Sequence, residues 1–75
     1  MRQLPALPAR RIISALERAG FRVVRTKGAH FFLQHPGDRA RPTVVPAHRG
    51  DLPPGTLRAI LRQARLSQEE FLDLL

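Results

Sequence analysis

The apolar residues of this chain recur with a helical period at both ends and with a strand period between them. Ile12, Leu16 and Ala19 stand at i, i+4 and i+7, and Ile13 widens the stripe. Pro8 suits the first turn of a helix, where a missing N–H costs nothing, and Gly20 supplies a stop. The spacing predicts a helix from about Pro8 to Ala19, after a short lead-in from Met1 to Leu7. Leu57, Ile60, Leu61 and Ala64 predict a second helix, approached through Asp51-Leu52-Pro53-Pro54-Gly55-Thr56. Ser67-Gln68-Glu69-Glu70 has the spacing of a capping box. It opens a short third helix whose apolar face is Phe71, Leu72 and Leu75.

Between the helices the period drops to two. Phe21 to Lys27 predicts a strand with Phe21, Val23 and Arg25 on one face and Arg22, Val24 and Thr26 on the other. Gly28 and Ala29 make a turn, His30 to His35 form a second strand, and Pro36-Gly37 reverses the chain again. Arg41 to Pro46 is a third, shorter strand whose prolines suit a sheet edge. The expected class is α+β: a helix, a three-stranded antiparallel meander, a helix and a terminal helical turn. The main helices should cover one sheet face and leave the other open. Phe31, Leu33 and His35 would then face the helices, with His30, Phe32 and Gln34 on the open side. With no internal repeat and no linker, residues 1–75 are expected to form a single domain.

Charge gives the open face a role. The formal net charge is +7, and Lys27 is the only lysine among 13 cationic side chains. Arginine presents a planar fork that matches phosphate, so nucleic acid is the expected partner. A coding bias toward Arg, Ala, Leu and Pro would enrich the same residues without any such partner. The absence of cysteine excludes disulfides, thiolate metal sites and a cysteine nucleophile. The histidines lack the paired spacing of a zinc site, and no acidic residues cluster with them, so no metal or cofactor is expected. No apolar run approaches the ~20 residues of a spanning helix. The start does not resemble a signal peptide, so no membrane association and a cytoplasmic location are expected. A domain this small buries only ~60% of its unfolded surface. Any chemistry is therefore expected on an open face.

Lys27-Gly28-Ala29-His30 is where such chemistry would sit. Histidine exchanges protons near neutral pH, glycine lets another backbone approach closely, and Lys27 adds a fixed positive charge.

These residues carry a resemblance. Lys27-Gly28-Ala29-His30 is similar to a K-G-S-H segment, His35-Pro36 to an H-P turn, and Val44-Val45-Pro46-Ala47-His48 to a V-x-V-P-x-H strand end. Leu52-Pro53-Pro54-Gly55-Thr56-Leu57-Arg58-Ala59-Ile60-Leu61-Arg62-Gln63-Ala64 is similar to an L-x-x-G-T-L-R-x-I-L-K-Q-A helix. In this order the segments resemble the HicA family, the mRNA interferase toxins of type II toxin–antitoxin pairs, over roughly Pro8 to Leu66. The resemblance implies a double-stranded-RNA-binding-domain-like α-β-β-β-α fold, RNA endonuclease activity that stops translation, and a HicB-like antitoxin that covers the active face. It implies His30 as the catalytic residue. The family's usual serine is Ala29 here, which would fit reduced activity or a different preferred RNA.

RNA supplies its own nucleophile, the 2′-OH, so a nuclease without metal needs proton transfer and cations. His30 would act as general base or acid. Arg25, Lys27, Arg41 or Arg49 would hold the phosphate. Gly28, Phe32 and His48 complete the expected RNA-contacting set, with Phe32 able to stack on a base. His48 reads first as a loop residue that supports its turn, with a second proton-transfer group as the alternative, and His35 reads as structural. Arg58, Arg62 and Arg65 form a basic helix face that would grip RNA or an acidic antitoxin, or simply face water. The expected function is a metal-independent endoribonuclease toxin, monomeric when free. The alternative is a non-catalytic RNA-binding module of the same fold. A DNA-binding subunit is the weakest reading, because the second helix must spend its apolar stripe on the sheet.

Overall fold

The strand-period segments pair in chain order, and the helical stripes close beneath them. The computed structural model describes residues 3–47 and 49–75. Its elements are β1 (Leu7–Pro8), α1 (Ala9–Arg18), β2 (Arg22–Lys27), β3 (His30–His35), β4 (Asp38–Pro46), β5 (Asp51–Leu52), α2 (Pro54–Ala64) and α3 (Gln68–Asp73). Strands β2, β3 and β4 form a three-stranded antiparallel sheet in that order. The expected α+β class is observed, consistent with the double-stranded-RNA-binding-domain-like α-β-β-β-α arrangement.

The core forms where the apolar faces meet. Ile12, Ala15 and Leu16 of α1 and Leu57, Ile60, Leu61 and Ala64 of α2 are buried with Leu33, Val45, Phe21 and Phe71. The helices pack chiefly beneath β4. In β3, Leu33 is buried and Phe31 packs against the core, while Gln34 and His30 are exposed. All of β2 is exposed, so this strand overhangs the helical layer.

Three details differ from the sequence-based expectation. Strand β4 starts at Asp38 rather than Arg41, because the Pro36-Gly37 turn continues directly into pairing, with His35 opposite Asp38. The lead-in is part of the core: Leu4 and Leu7 are buried, and β1 pairs antiparallel with β5, Leu7 opposite Leu52. The simple alternation expected of β2 fails at Val24. Val23 lies opposite Leu33 but Arg25 lies opposite Phe32, so the register shifts between them. Such a bulge inverts the faces of the residues beyond it.

The helix ends are closed by backbone geometry. After α1, Phe21 N–H donates to Leu16 O and Gly20 N–H to Glu17 O, both at 3.0 Å. Gly20 sits at φ +100, a region open to glycine. After α2, Leu66 N–H donates to Leu61 O at 3.0 Å and Arg65 N–H to Arg62 O at 3.3 Å. Here the left-handed position, φ 56, is held by Arg65. The capping box of α3 is formed: Glu70 N–H donates to Ser67 Oγ at 3.0 Å and Ser67 N–H to Glu70 Oε1 at 2.9 Å. The bonds from Ser67, backbone first and then side chain, lower the Glu70 carboxyl pKa, and the Arg41 charge adds to this. A depressed carboxylate stabilises the fold above its unfolded pKa, and that contribution disappears as pH falls through the folded value.

His35 locks the first helix stop to the sheet. Its Nδ1 accepts Gly37 N–H at 3.1 Å, which leaves the neutral ring's proton on Nε2. Its edge meets Phe21 with centroids 5.3 Å apart and planes at 85°. A Cβ on Gly20 would lie 2.8 Å from His35 Nε2. Gly20→Ala therefore meets both a forbidden φ and a clash, and should destabilise the fold by ~1–3 kcal/mol. Arg65→Gly removes left-handed strain and should stabilise by about 1 kcal/mol. Urea unfolding midpoints check both, and a Gly20→Ala midpoint at the wild-type value would show that this stop does not carry the strain assigned to it.

Candidate functional site

Residues directly opposite each other across a sheet share a face, so the register builds the site. Lys27 lies opposite His30, Arg25 opposite Phe32, and Arg22 opposite Gln34. On the other side His30 lies opposite Pro46 and Phe32 opposite Val44. Burial of Leu33 fixes its neighbours Phe32 and Gln34 to the side away from the helices. Arg22, Arg25, Lys27, His30, Phe32 and Gln34 consequently share the open face.

The bulge at Val24 makes this set. A regular strand would place Arg22 and Arg25 on opposite faces, as the sequence pattern suggests. The extra residue returns Arg25 to the side of Arg22, and Lys27 follows two positions on. A basic stripe runs along β2 beside a strand that, like β2 itself, contains no acidic residue. Arg22 was not among the residues that sequence reasoning assigned to binding, and no local signal marks the bulge that brings it there.

Aromatic contacts order the centre. The Arg25 guanidinium carbon lies 4.7 Å from the Phe32 ring centroid, a cation–π distance. The His30 ring lies 6.5 Å from that of Phe32, tilted by 42°. His30 itself is exposed. Gly28 occupies φ +55, and a Cβ there would meet nothing within 4 Å, so the turn beside His30 is open to an approaching group. Ala47 N–H donates to Ala29 O at 2.6 Å, which ties the chain beyond β4 to this turn. Beside Phe32 a shallow groove of ≈ 330 Å³ is bounded by Val24, Arg25, Gln34, Pro42 and Val44.

The remaining candidates lie elsewhere. Arg41 is half-buried and alternates with Thr43 and Val45, both buried. Its charge acts on Glu70 of α3, so it does not join the open-face group. Arg49 is exposed in the bend between β4 and β5. His48 lies outside the described residues. Among the described residues no group of three or more His, Asp or Glu side chains is arranged to hold a metal ion. No described helix is long and apolar enough to cross a membrane.

One amide of β4 is satisfied by a side chain of α2. Val44 N–H donates to Gln63 Oε1 of α2 at 3.0 Å, which gives the glutamine of the Gln63-Ala64 helix end a structural task.

Together the sheet and its basic face define a small α+β fold with an open, cationic surface. Residues 9–66 match the family model of the HicA toxin of bacterial toxin–antitoxin systems. The chain belongs to the HicA toxin family, so its role is that of a toxin with an antitoxin partner. No curated protein matches the chain.

Gln63→Ala should destabilise by about 0.5–1.5 kcal/mol, the usual net worth of one hydrogen bond. Hydrogen exchange at the Val44 amide should accelerate by more than that of the β2–β3 amides. Equal acceleration throughout the sheet would mean that Gln63 supports global stability rather than this amide.

Proposed function

We propose that this chain is a metal-independent endoribonuclease toxin that cleaves mRNA and blocks translation until a HicB-like antitoxin covers its open face. The observation that carries the reading is the face shared by His30 and Phe32 of β3 with Lys27 and Arg25 of β2. Membership of the toxin family supports the same reading. The chain acts as a single-domain monomer in the cytoplasm when free, and needs no cofactor.

His30 transfers a proton as general base or general acid. The 2′-oxygen attacks phosphorus and loses its proton, the P–O5′ bond breaks, and the 5′-oxygen gains a proton. The products are a 2′,3′-cyclic phosphate and a 5′-hydroxyl. Arg25 and Lys27, joined by Arg22, offset the charge that builds on the phosphoryl oxygens. Gly28 lets the phosphate approach the turn, Arg49 extends the RNA-contacting surface past β4, and His48 is proposed as an RNA contact from the sequence alone.

Ala29 favours one second reading. It stands where the family's usual residue is serine, and loss of that hydroxyl would suit an RNA-binding module that no longer cleaves.

Incubating purified protein with a long single-stranded RNA in EDTA separates the two. Wild type should cleave, and His30→Ala should lose ~10²–10⁴-fold in rate, the usual range for general acid–base help. Equal cleavage by both proteins would remove His30 from the chemistry. Binding without cleavage, with activity restored by Ala29→Ser, would establish the second reading.

A further inference from the structure

We infer that the groove beside Phe32 is a subsite for one unpaired nucleobase, so that the substrate is single-stranded RNA with a base splayed onto the sheet. This rests on the ribonuclease reading above and adds the part of the substrate that the groove holds.

The chemistry of the groove matches a base. Its lining is mostly apolar, with Val24, Phe32, Leu33, Pro42 and Val44, and it includes the polar Gln34 and Thr43 beside Arg25. A nucleobase has the same division: apolar π-faces and a polar edge. At ≈ 330 Å³ the groove is at the small end of ligand pockets, which run ~300–1,000 Å³, and suits a single flat ring system. The Arg25 guanidinium over the Phe32 ring adds a second planar surface, and both kinds of plane stack on unpaired bases. Gln34 carries both donors and an acceptor, so it can read the base edge.

Charge and spacing set a path for the strand along the sheet. Along the β2–β3 register the Arg22–Gln34 pair lies on one side of the Arg25–Phe32 pair, and the Lys27–His30 pair lies on the other. Phosphates following this stripe leave their bases pointing across β3. The 6.5 Å between the rings of Phe32 and His30 is within the span of one nucleotide. A base in the groove thus brings a neighbouring 2′-OH to His30. A paired base has both faces covered by its stack and its edge by its partner. A duplex can touch the cations but cannot fill the groove.

Binding measured by fluorescence anisotropy tests this, using protein carrying His30→Ala so that the RNA persists. The probes are labelled homo-oligomers of uridine, cytidine and adenosine, and a duplex of the same length. Phe32→Leu should weaken single-strand binding roughly fivefold to a hundredfold, the range for one base–aromatic stack. Duplex binding should stay unchanged. Gln34→Ala, an exposed change that leaves the core intact, should narrow the differences among the three homo-oligomers. Thermal melting confirms that each variant is folded. Single-strand binding unaffected by Phe32→Leu, or single-strand and duplex binding reduced alike, would overturn the subsite while leaving the ribonuclease reading in place. Failure of the parent protein to bind either form of RNA would overturn both.

Discussion

Leu33 and Val45 lie against the helices, and their burial sets which way the side chains from His30 to Gln34 face. With a side-chain period of two, the strand that sends Leu33 inward must send Phe32 and Gln34 outward. A slip of one residue would bring Phe32 to the helices and move His30 off the basic face. Such a slip would also expose Leu33, at a cost of about 1.5–3 kcal/mol for one large apolar side chain. The hydrophobic core therefore specifies the chemistry of a face it does not touch.

The bulge at Val24 works against the simplest form of that rule and is necessary to the site. Without it, the cations of β2 would divide between the two faces. With it, Arg22, Arg25 and Lys27 line one side, and Val24 itself, 55% exposed, becomes a wall of the groove. Because β2 overhangs the helices, a bulge here disturbs no buried packing. It also interrupts an otherwise free sheet edge, which lowers the tendency of that edge to pair with other strands.

The sequence was most legible where one residue type allows one local outcome. Gly20, the helical spacing of Leu57, Ile60, Leu61 and Ala64, and the Ser67 capping box each marked an element that the structure contains. The pairing of His30 with Phe32 on the open side followed from alternation alone. What escaped depends on contacts between distant segments. Leu7 looked like lead-in because its partner Leu52 is far along the chain. The bulge escaped because Val24 is as suited to a regular strand as to an irregular one. Arg41 was grouped with the phosphate-binding cations by charge, yet its position in β4 alternates with Thr43 and Val45, toward Glu70.

A fold of this size has little interior with which to hold an exposed side chain such as His30 in place. Its position depends instead on backbone pairing from both sides. Lys27 opposes it on β2, Pro46 opposes it on β4, and the Ala47 N–H bond to Ala29 O closes the turn. The atom of Ala29 that matters to this scaffold is its carbonyl oxygen, which every residue type supplies. The identity of the side chain is therefore free of the structural role. An exchange between alanine and serine acts on whatever approaches the turn, rather than on how the turn is built. That separation lets the sheet keep its geometry whichever small side chain stands beside His30.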